Sequence, residues 1–415
     1  MKFCYRIFTS KINIIMKSKF YLILPALICL SCSDTIDETV NEQNKKALSP
    51  YHISESQAFD VAESFWARKH KSRSLSTSPE VEYVIKNSTL SRSYNELSDT
   101  LAYIFNYPEN QGFTIVASDN RVNPILAYSE YGQFSFTNEA VVENFIDNIG
   151  DYMLDKIADG HSDTPDNMES CVVISPYIQE SIDQKYPYNK YVAKEHPNCP
   201  AGCVAVATAN IMIQSLNSMT YHNSHFEFAA IRDAYAEAND PSIPKNAKRR
   251  VVGGPIPKYP AANTSIKYTY EEAIDSVAKM LYWIGKDLDM SYSPGSSSAF
   301  SSDALNLLKQ LSLDVKHSSL VTYNIKAICS YINNDYIAYM RGRDGSVGHA
   351  WVCDGCSFCV AGDRTFNEYI HCDWGWGGIS NGFYNGDVFA ASSYNFTGMT
   401  YFAVKRHLSG SALYN

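Results

Sequence analysis

Asn198-Cys199-Pro200-Ala201-Gly202-Cys203-Val204-Ala205-Val206-Ala207-Thr208-Ala209-Asn210-Ile211-Met212 is the stretch on which the fold turns. A turn-forming Pro-Ala-Gly precedes a run of small and apolar residues with no breaker. That order predicts a loop entering a buried helix over 203–216, with Cys203 in its first turn. The partial positive charge of a helix N-terminus and its free backbone N–H groups favour a thiolate. Gly202 lets the chain pass close to a bound ligand. Such a cysteine is a candidate nucleophile. A buried structural cysteine at a helix start is the plain alternative, and residues elsewhere in the chain decide between them.

The chain has 415 residues, enough for two to three domains, and its 45% hydrophobic and 19% charged content fit a largely globular protein. A net charge of -9 argues against nucleic acid as the main partner. Lys17 and Lys19 precede the apolar run Phe20–Leu30, then Ser31-Cys32. A basic flank, a short apolar core and a small residue predict a secretory signal over 1–31, too short to span a bilayer as a helix. Its ending resembles a bacterial lipoprotein signal, with Cys32 lipidated after cleavage; a plain cleaved signal is the alternative. Residues 32–47 read as a tether. The expected location is therefore the outer membrane or cell surface, with release on processing and membrane contact only through that lipid.

Ser54-Glu55-Ser56-Gln57 has capping-box spacing and opens an amphipathic helix ending near Lys71. Strands are predicted at Glu82–Lys86, Leu101–Tyr107, Phe113–Ser118 and Ile125–Tyr128, and a second helix from about Glu139 to Ala158. This gives a small α+β unit over 48–160. A breaker-rich linker over 161–175 is expected to carry a processing site, and 176–415 is the third unit. Within it, 217–269 reads as mixed loop and short helix, with Lys245–Arg250 as a solvated basic loop. Helices are expected over Tyr270–Asp287 and about Ser302–Leu311, with Pro294–Ser298 a loop between them. Strands are expected at Tyr336–Arg341, from His349 onward, and at Thr365–Asp373, with Asp344-Gly345 a tight turn and Trp374–Gly378 a glycine-rich turn.

His349 lies well over a hundred residues after Cys203, between Gly348 and Ala350. A cysteine nucleophile needs a base that takes the thiol proton and later protonates the leaving amine. It also needs a group that orients the imidazole and donors for the oxyanion. The order Cys, His, then Asn or Asp fits a papain-like arrangement. Asp373, on the next predicted strand, is a candidate orienter. Gln184, upstream, is a candidate oxyanion donor beside the Cys203 amide. His196 lies near Cys203 but is rejected as the base.

Four ordered motifs resemble the streptopain family of bacterial cysteine proteases. They are Gln-x-x-Pro-Tyr-Asn (184–189), Gly-Cys-Val-Ala-x-Ala-x-Ala-x-Ile-Met (202–212), Gly-His-Ala-Trp (348–351) and Asp-Trp-Gly-Trp-Gly-Gly (373–378). The first unit, through Phe113–Arg121 and Leu126–Ser129, resembles the propeptide of that family and related inhibitor domains. The resemblance implies an α+β fold, with a papain-like catalytic domain of a helical and a β-rich half behind a small α+β propeptide. It implies a zymogen whose propeptide acts as an intramolecular inhibitor, and protein or peptide substrates with a hydrophobic residue two positions before the cut. Cys203 then matches the nucleophile, His349 the general base and acid, Gln184 the oxyanion donor, and Trp374 the tryptophan beside the site. Gly202, Val347 and Gly348 are expected to border the substrate. Two positions depart from the family pattern: Asp373 where Asn is common, and Ile182 where an aromatic is usual.

No cofactor and no metal are expected. Cys353-x-x-Cys356-x-x-Cys359 has the look of half a metal-ligand set, with a disulfide among them or free thiols on a hairpin as the readings preferred. The rival functions are a catalytically silent binding or inhibitory homologue, or another Cys–His acyl-transfer enzyme such as a cell-wall amidase.

Overall fold

The computed structural model describes residues 49–69, 79–87, 94–136, 140–160, 170–178, 180–239, 266–344, 347–361, 364–390 and 398–406. The signal, the tether with Cys32, most of the linker, the Lys245–Arg250 loop and Gly345 lie outside them.

Helix α1 (Glu55–Lys69) starts at the capping box read from the sequence. The Ser54 N–H donates to Gln57 Oε1 at 2.8 Å, and Ser54 Oγ accepts from the Gln57 N–H at 3.3 Å. Its buried Ala58, Ala62 and Trp66 face a meander of β1 (Glu80–Lys86), β2 (Thr100–Asn106), β3 (Phe113–Ala117) and β4 (Ile125–Ser129). Helix α2 (Ala140–Asp159) closes the other face with Phe145, Ile149 and Met153.

Strand β5 (Ser170–Ile174) corrects the linker expectation: the apolar, partly β-branched run Cys171–Ile174 pairs antiparallel with β12 (Val347–Ala361). Helices α3 (Val192–Glu195), α4 (Cys203–Ser215), α5 (Phe228–Asn239), α6 (Tyr270–Asp287) and α7 (Ser301–Gln310) form the helical half. Helix α4 is buried on every side from Val204 to Gln214, which a run of Ala, Val, Ile and Met permits. Helix α6 begins at a second capping box, Thr269 with Glu272. Two hairpins replace expected loops here: β6 (Ser218–Tyr221) with β7 (Ser224–Glu227), and β8 (Ser291–Ser293) with β9 (Ser296–Ser298). Among the described residues no helix is long and apolar enough to cross a membrane.

The β-rich half holds β10 (Val321–Thr322), α8 (Ile325–Asn333), β11 (Tyr336–Asp344), β12, β13 (Arg364–Asp373), β14 (Gly382–Asn385), α9 (Gly386–Ala390) and β15 (Thr400–Lys405). One sheet runs β1-β2-β3-β4-β14-β13-β12-β11-β15-β10, so the first unit continues the sheet of the β-rich half through the β4–β14 pairing. Side chains alternate along β12. Ala350 and Val352 join the core around α4, while Trp351 and Cys353 join the core shared with α2, α8 and α9. The fold class is α+β, with a helical and a β-rich half behind a small α+β unit.

Candidate active site

Three segments meet at the mouth of α4. The loop before Cys203 is tied by four bonds. The Ala201 N–H donates to the Gln184 carbonyl at 2.7 Å and the Gly295 N–H to the Asn198 carbonyl at 3.3 Å. Asn189 Nδ2 donates to the Cys199 carbonyl at 2.9 Å, and Ser297 Oγ to the Pro200 carbonyl at 2.7 Å. Gly202 caps the helix at φ 94°. A Cβ there would lie 2.6 Å from Met290 Sδ, so both conformation and space demand glycine. Cys203 is half-buried and not in a disulfide. No acidic residue stands in the first turn of α4 and no side-chain hydrogen bond caps it, so the helix itself offers nothing to offset its N-terminal field.

The turn after β13 forms the second wall. A Cβ on Gly375 (φ 72°) would lie 2.8 Å from Val206 Cγ1, which places this turn directly on the first turn of α4. The Gly377 N–H donates to the Ile182 carbonyl at 3.1 Å, joining the turn to the Gln184 segment. Gln184 is half-buried, and its backbone carbonyl braces the nucleophile loop.

His349 is 5% exposed, on the same face of β12 as Trp351. Its Nε2–H donates to the Trp374 carbonyl at 3.0 Å, and its ring centroid lies 4.9 Å from that of Trp376. Neither Cys203 nor Asp373 is the partner of that bond. Burial outweighs the Trp374 hydrogen bond and pushes the imidazole down to about 4, so the ring is neutral. Asp373, 3% exposed, spends its carboxylate on the turn: Oδ1 accepts from the Gly375 N–H at 3.0 Å. Burial lifts its carboxyl to about 6, against the opposing Gly375 hydrogen bond. In this structure Asp373 Oδ1 serves the turn, and the His349 Nε2–H goes to the Trp374 carbonyl instead. Trp374 is fully buried, its Nε1 donating to the Ser380 carbonyl at 3.0 Å. Gly348 is exposed at the start of the His349 segment; the expectation for Val347 concerns a side chain outside the described ones.

The first unit reaches this cluster through aromatic contacts. Phe145 of α2 meets Tyr384 at 4.9 Å between ring centroids, Tyr384 meets Trp374 at 5.3 Å, and Trp374 carries the carbonyl that holds His349. Tyr128 stacks on Phe383 at 5.0 Å, and Tyr369 Oη donates to the Ile125 carbonyl at 2.7 Å.

Sequence reading missed one buried polar node. Asp354 accepts from the Tyr177 and Ile178 N–H groups at 2.6 Å each through Oδ2, and pairs with His371 Nδ1 at 2.6 Å through Oδ1. It clamps the segment just after β5 to the sheet. No local pattern announces it, because a bulge between Cys353 and Gly355 sets its direction. His196 stacks on Tyr292 at 4.4 Å. Among the described residues no group of three or more His, Cys, Asp or Glu could hold a metal ion.

A free thiol at a helix N-terminus, a buried imidazole on the adjoining sheet and a small α+β unit packed behind it are the arrangement that the comparisons must explain. Comparison with known proteins makes the assignment particular. Residues 182–384 match the Peptidase C10 family and residues 50–152 the Spi protease inhibitor family. Streptopain of Streptococcus pyogenes is 26% identical over 333 residues, covering 72% of this chain and 77% of streptopain. The thiol protease/hemagglutinin PrtT of Porphyromonas gingivalis is 25% identical over 373 residues, 80% of this chain and 38% of PrtT. A Prevotella intermedia prointerpain A fragment superposes with a TM-score of 0.46 at 21% identity, over 73% of this chain and 94% of the fragment. The chain belongs to the Peptidase C10 family, the streptopain-type cysteine endopeptidases, and is a zymogen.

Proposed function

We propose that this chain is an exported endopeptidase in which Cys203 attacks the peptide carbonyl as a thiolate and His349 shuttles the proton. The observation that carries the reading is Cys203 at the N-terminus of α4, whose first turn holds no carboxylate, walled by the Gln184 segment and the Trp374–Gly378 turn. The helix field favours negative charge on sulfur. Gln184 and the Cys203 N–H stabilise the tetrahedral oxyanion. His349 protonates the leaving amine, and water hydrolyses the thioester.

The precursor is silent because its imidazole is held against Trp376 and the Trp374 carbonyl. Cutting the chain between β4–α2 and the Asp354 clamp, in the region of 155–178, frees the first unit. Release removes the Phe145–Tyr384 contact, and His349 turns toward the cleft. Cleavage of the signal and lipidation of Cys32 place the precursor at the cell surface.

The test is incubation of the full-length chain and its Cys203→Ala variant under reducing conditions, with mass spectrometry of any new N-terminus. The parent should shorten by self-cleavage and bind a peptidyl epoxide at Cys203. The variant should stay intact. Spontaneous shortening of the variant, or a parent that neither matures nor takes the label, would refute the assignment.

A further inference from the structure

The Cys353-x-x-Cys356-x-x-Cys359 run is not used by the peptidase chemistry, and the structure separates its three members. Cys359 is disulfide-bonded, and the residue facing it in register on β5 is Cys171. Cys356 lies against α8, its thiol donating to the Cys329 carbonyl at 3.9 Å. Cys353 faces Cys372 in register across β12 and β13, with Sγ atoms 3.6 Å apart and both residues 0% exposed. Cys353 and Cys356 thus each lie against a different neighbouring element and are free thiols, while Cys359 alone of the run is in a disulfide.

We propose that Cys353 and Cys372 form a second structural disulfide in the exported protein. Directly opposed residues of an antiparallel pair have Cα atoms about 4.5–5.5 Å apart, inside the range that a disulfide spans. Sulfurs already in contact need only rotate about χ1 to close to the bond length. The oxidant is an external disulfide. One thiolate attacks it to give a mixed disulfide, the second displaces the external thiol, and two protons and two electrons leave the pair as the oxidant becomes two thiols.

Burial and the neighbouring Cys372 hold the Cys353 thiol protonated in the folded chain. The bond therefore closes before the core does, and later resists the reductant that keeps Cys203 active. Its position gives it a purpose. Cys353 follows His349 on β12 and Cys372 precedes Asp373-Trp374 on β13, so the bond fixes the relative position of the two strands that carry the imidazole and its carbonyl partner. It touches no reacting atom.

The experiment uses the full-length Cys203→Ala chain refolded with oxidised and reduced glutathione. The protein is alkylated in denaturant without reductant, then cut at Asp and at aromatic residues. Asp354 separates Cys353 from Cys356, and Phe358 separates Cys356 from Cys359, so each cysteine reports alone. The expected result is a Cys353 peptide joined to a Cys372 peptide. In the Cys372→Ala variant, Cys353 should become alkylated while the Cys359 linkage persists. The oxidised parent should also show a folded-to-unfolded ratio about a hundredfold above that of the oxidised Cys372→Ala variant, which keeps the Cys359 bond, as closing a loop of this length implies. Alkylation of both Cys353 and Cys372 in the oxidised, folded parent, or a Cys353 linkage to any other cysteine, would overturn the proposal.

Discussion

The precursor buries two groups whose protonation costs pull in opposite directions, and separating them tests the latent geometry. His349 sits at about 4 in the fold against an ordinary 6.5. The unfolded chain therefore binds more protons between those values, and His349 contributes stability above pH 6.5 that is lost as the pH falls toward 4. Asp373 sits at about 6 against an ordinary 3.8. Its fold favours the protonated form, so its contribution is present below 3.8 and is lost as the pH rises through 6. Between about pH 7.5 and about pH 4.5, linkage gives a loss of about 2.5 kcal/mol from His349 and a gain of about 2 kcal/mol from Asp373. In the parent the two nearly cancel.

The perturbations are His349→Phe and Asp373→Asn, each in the Cys203→Ala chain so that no self-cleavage intervenes. Phe keeps a ring against Trp376; Asn keeps an acceptor for the Gly375 N–H. Urea unfolding at several pH values is the assay. Relative to the parent's own change on acidification, the His349→Phe variant should gain about 2.5 kcal/mol and Asp373→Asn should lose about 2 kcal/mol. The nearby Asp354–His371 pair is common to all three chains and drops out of the comparison. Two variants that both retain the parent's pH profile would refute the buried placement of these groups. If the slopes separate as expected, acid also becomes a trigger, because a protonated imidazole is disfavoured in the tryptophan pocket and gains by turning toward solvent.

Three further outcomes follow from the contacts described. Phe145→Ala removes a fully buried ring from the contact with Tyr384 and Phe389. It should destabilise the precursor by about 3–5 kcal/mol and speed maturation, read as the time course of shortening on a gel. Asp354→Ala strands the Tyr177 and Ile178 N–H groups and His371, and should cost about 3–5 kcal/mol in urea unfolding of the Cys203→Ala chain. Gly202→Ala forces a Cβ toward Met290 Sδ at φ 94°. Peptide turnover should fall about 100-fold or more as the nucleophile loop shifts, with a matching loss of epoxide labelling.

What the sequence disclosed was whatever short-range chemistry specifies. Ser54 with Gln57 marks a helix start because two reciprocal hydrogen bonds close within four residues. Gly202-Cys203 announces a buried helix because nothing else suits so apolar a run. Helix α8 is short and rich in β-branched Ile, which hides the helical spacing of Ile325, Ile328, Cys329 and Ile332; its start shows in the Asn324 side chain, which accepts from the Ala327 N–H at 2.9 Å. The His349 environment was out of reach for a different reason. Strand alternation assigns the imidazole to the face of Trp351, but the choice of Trp374 carbonyl over Asp373 carboxylate depends on how the turn folds. Gly375, Gly377 and Gly378, all at positive φ, bend that turn so that Asp373 is consumed by its own backbone. The turn in turn leans on Tyr384 and Phe145, residues of two different units. A motif records the residues that the mature reaction requires. In this structure the bond from His349 to the Trp374 carbonyl rests on a ring chain through Tyr384 to Phe145, and that information is spread over side chains far apart in the chain.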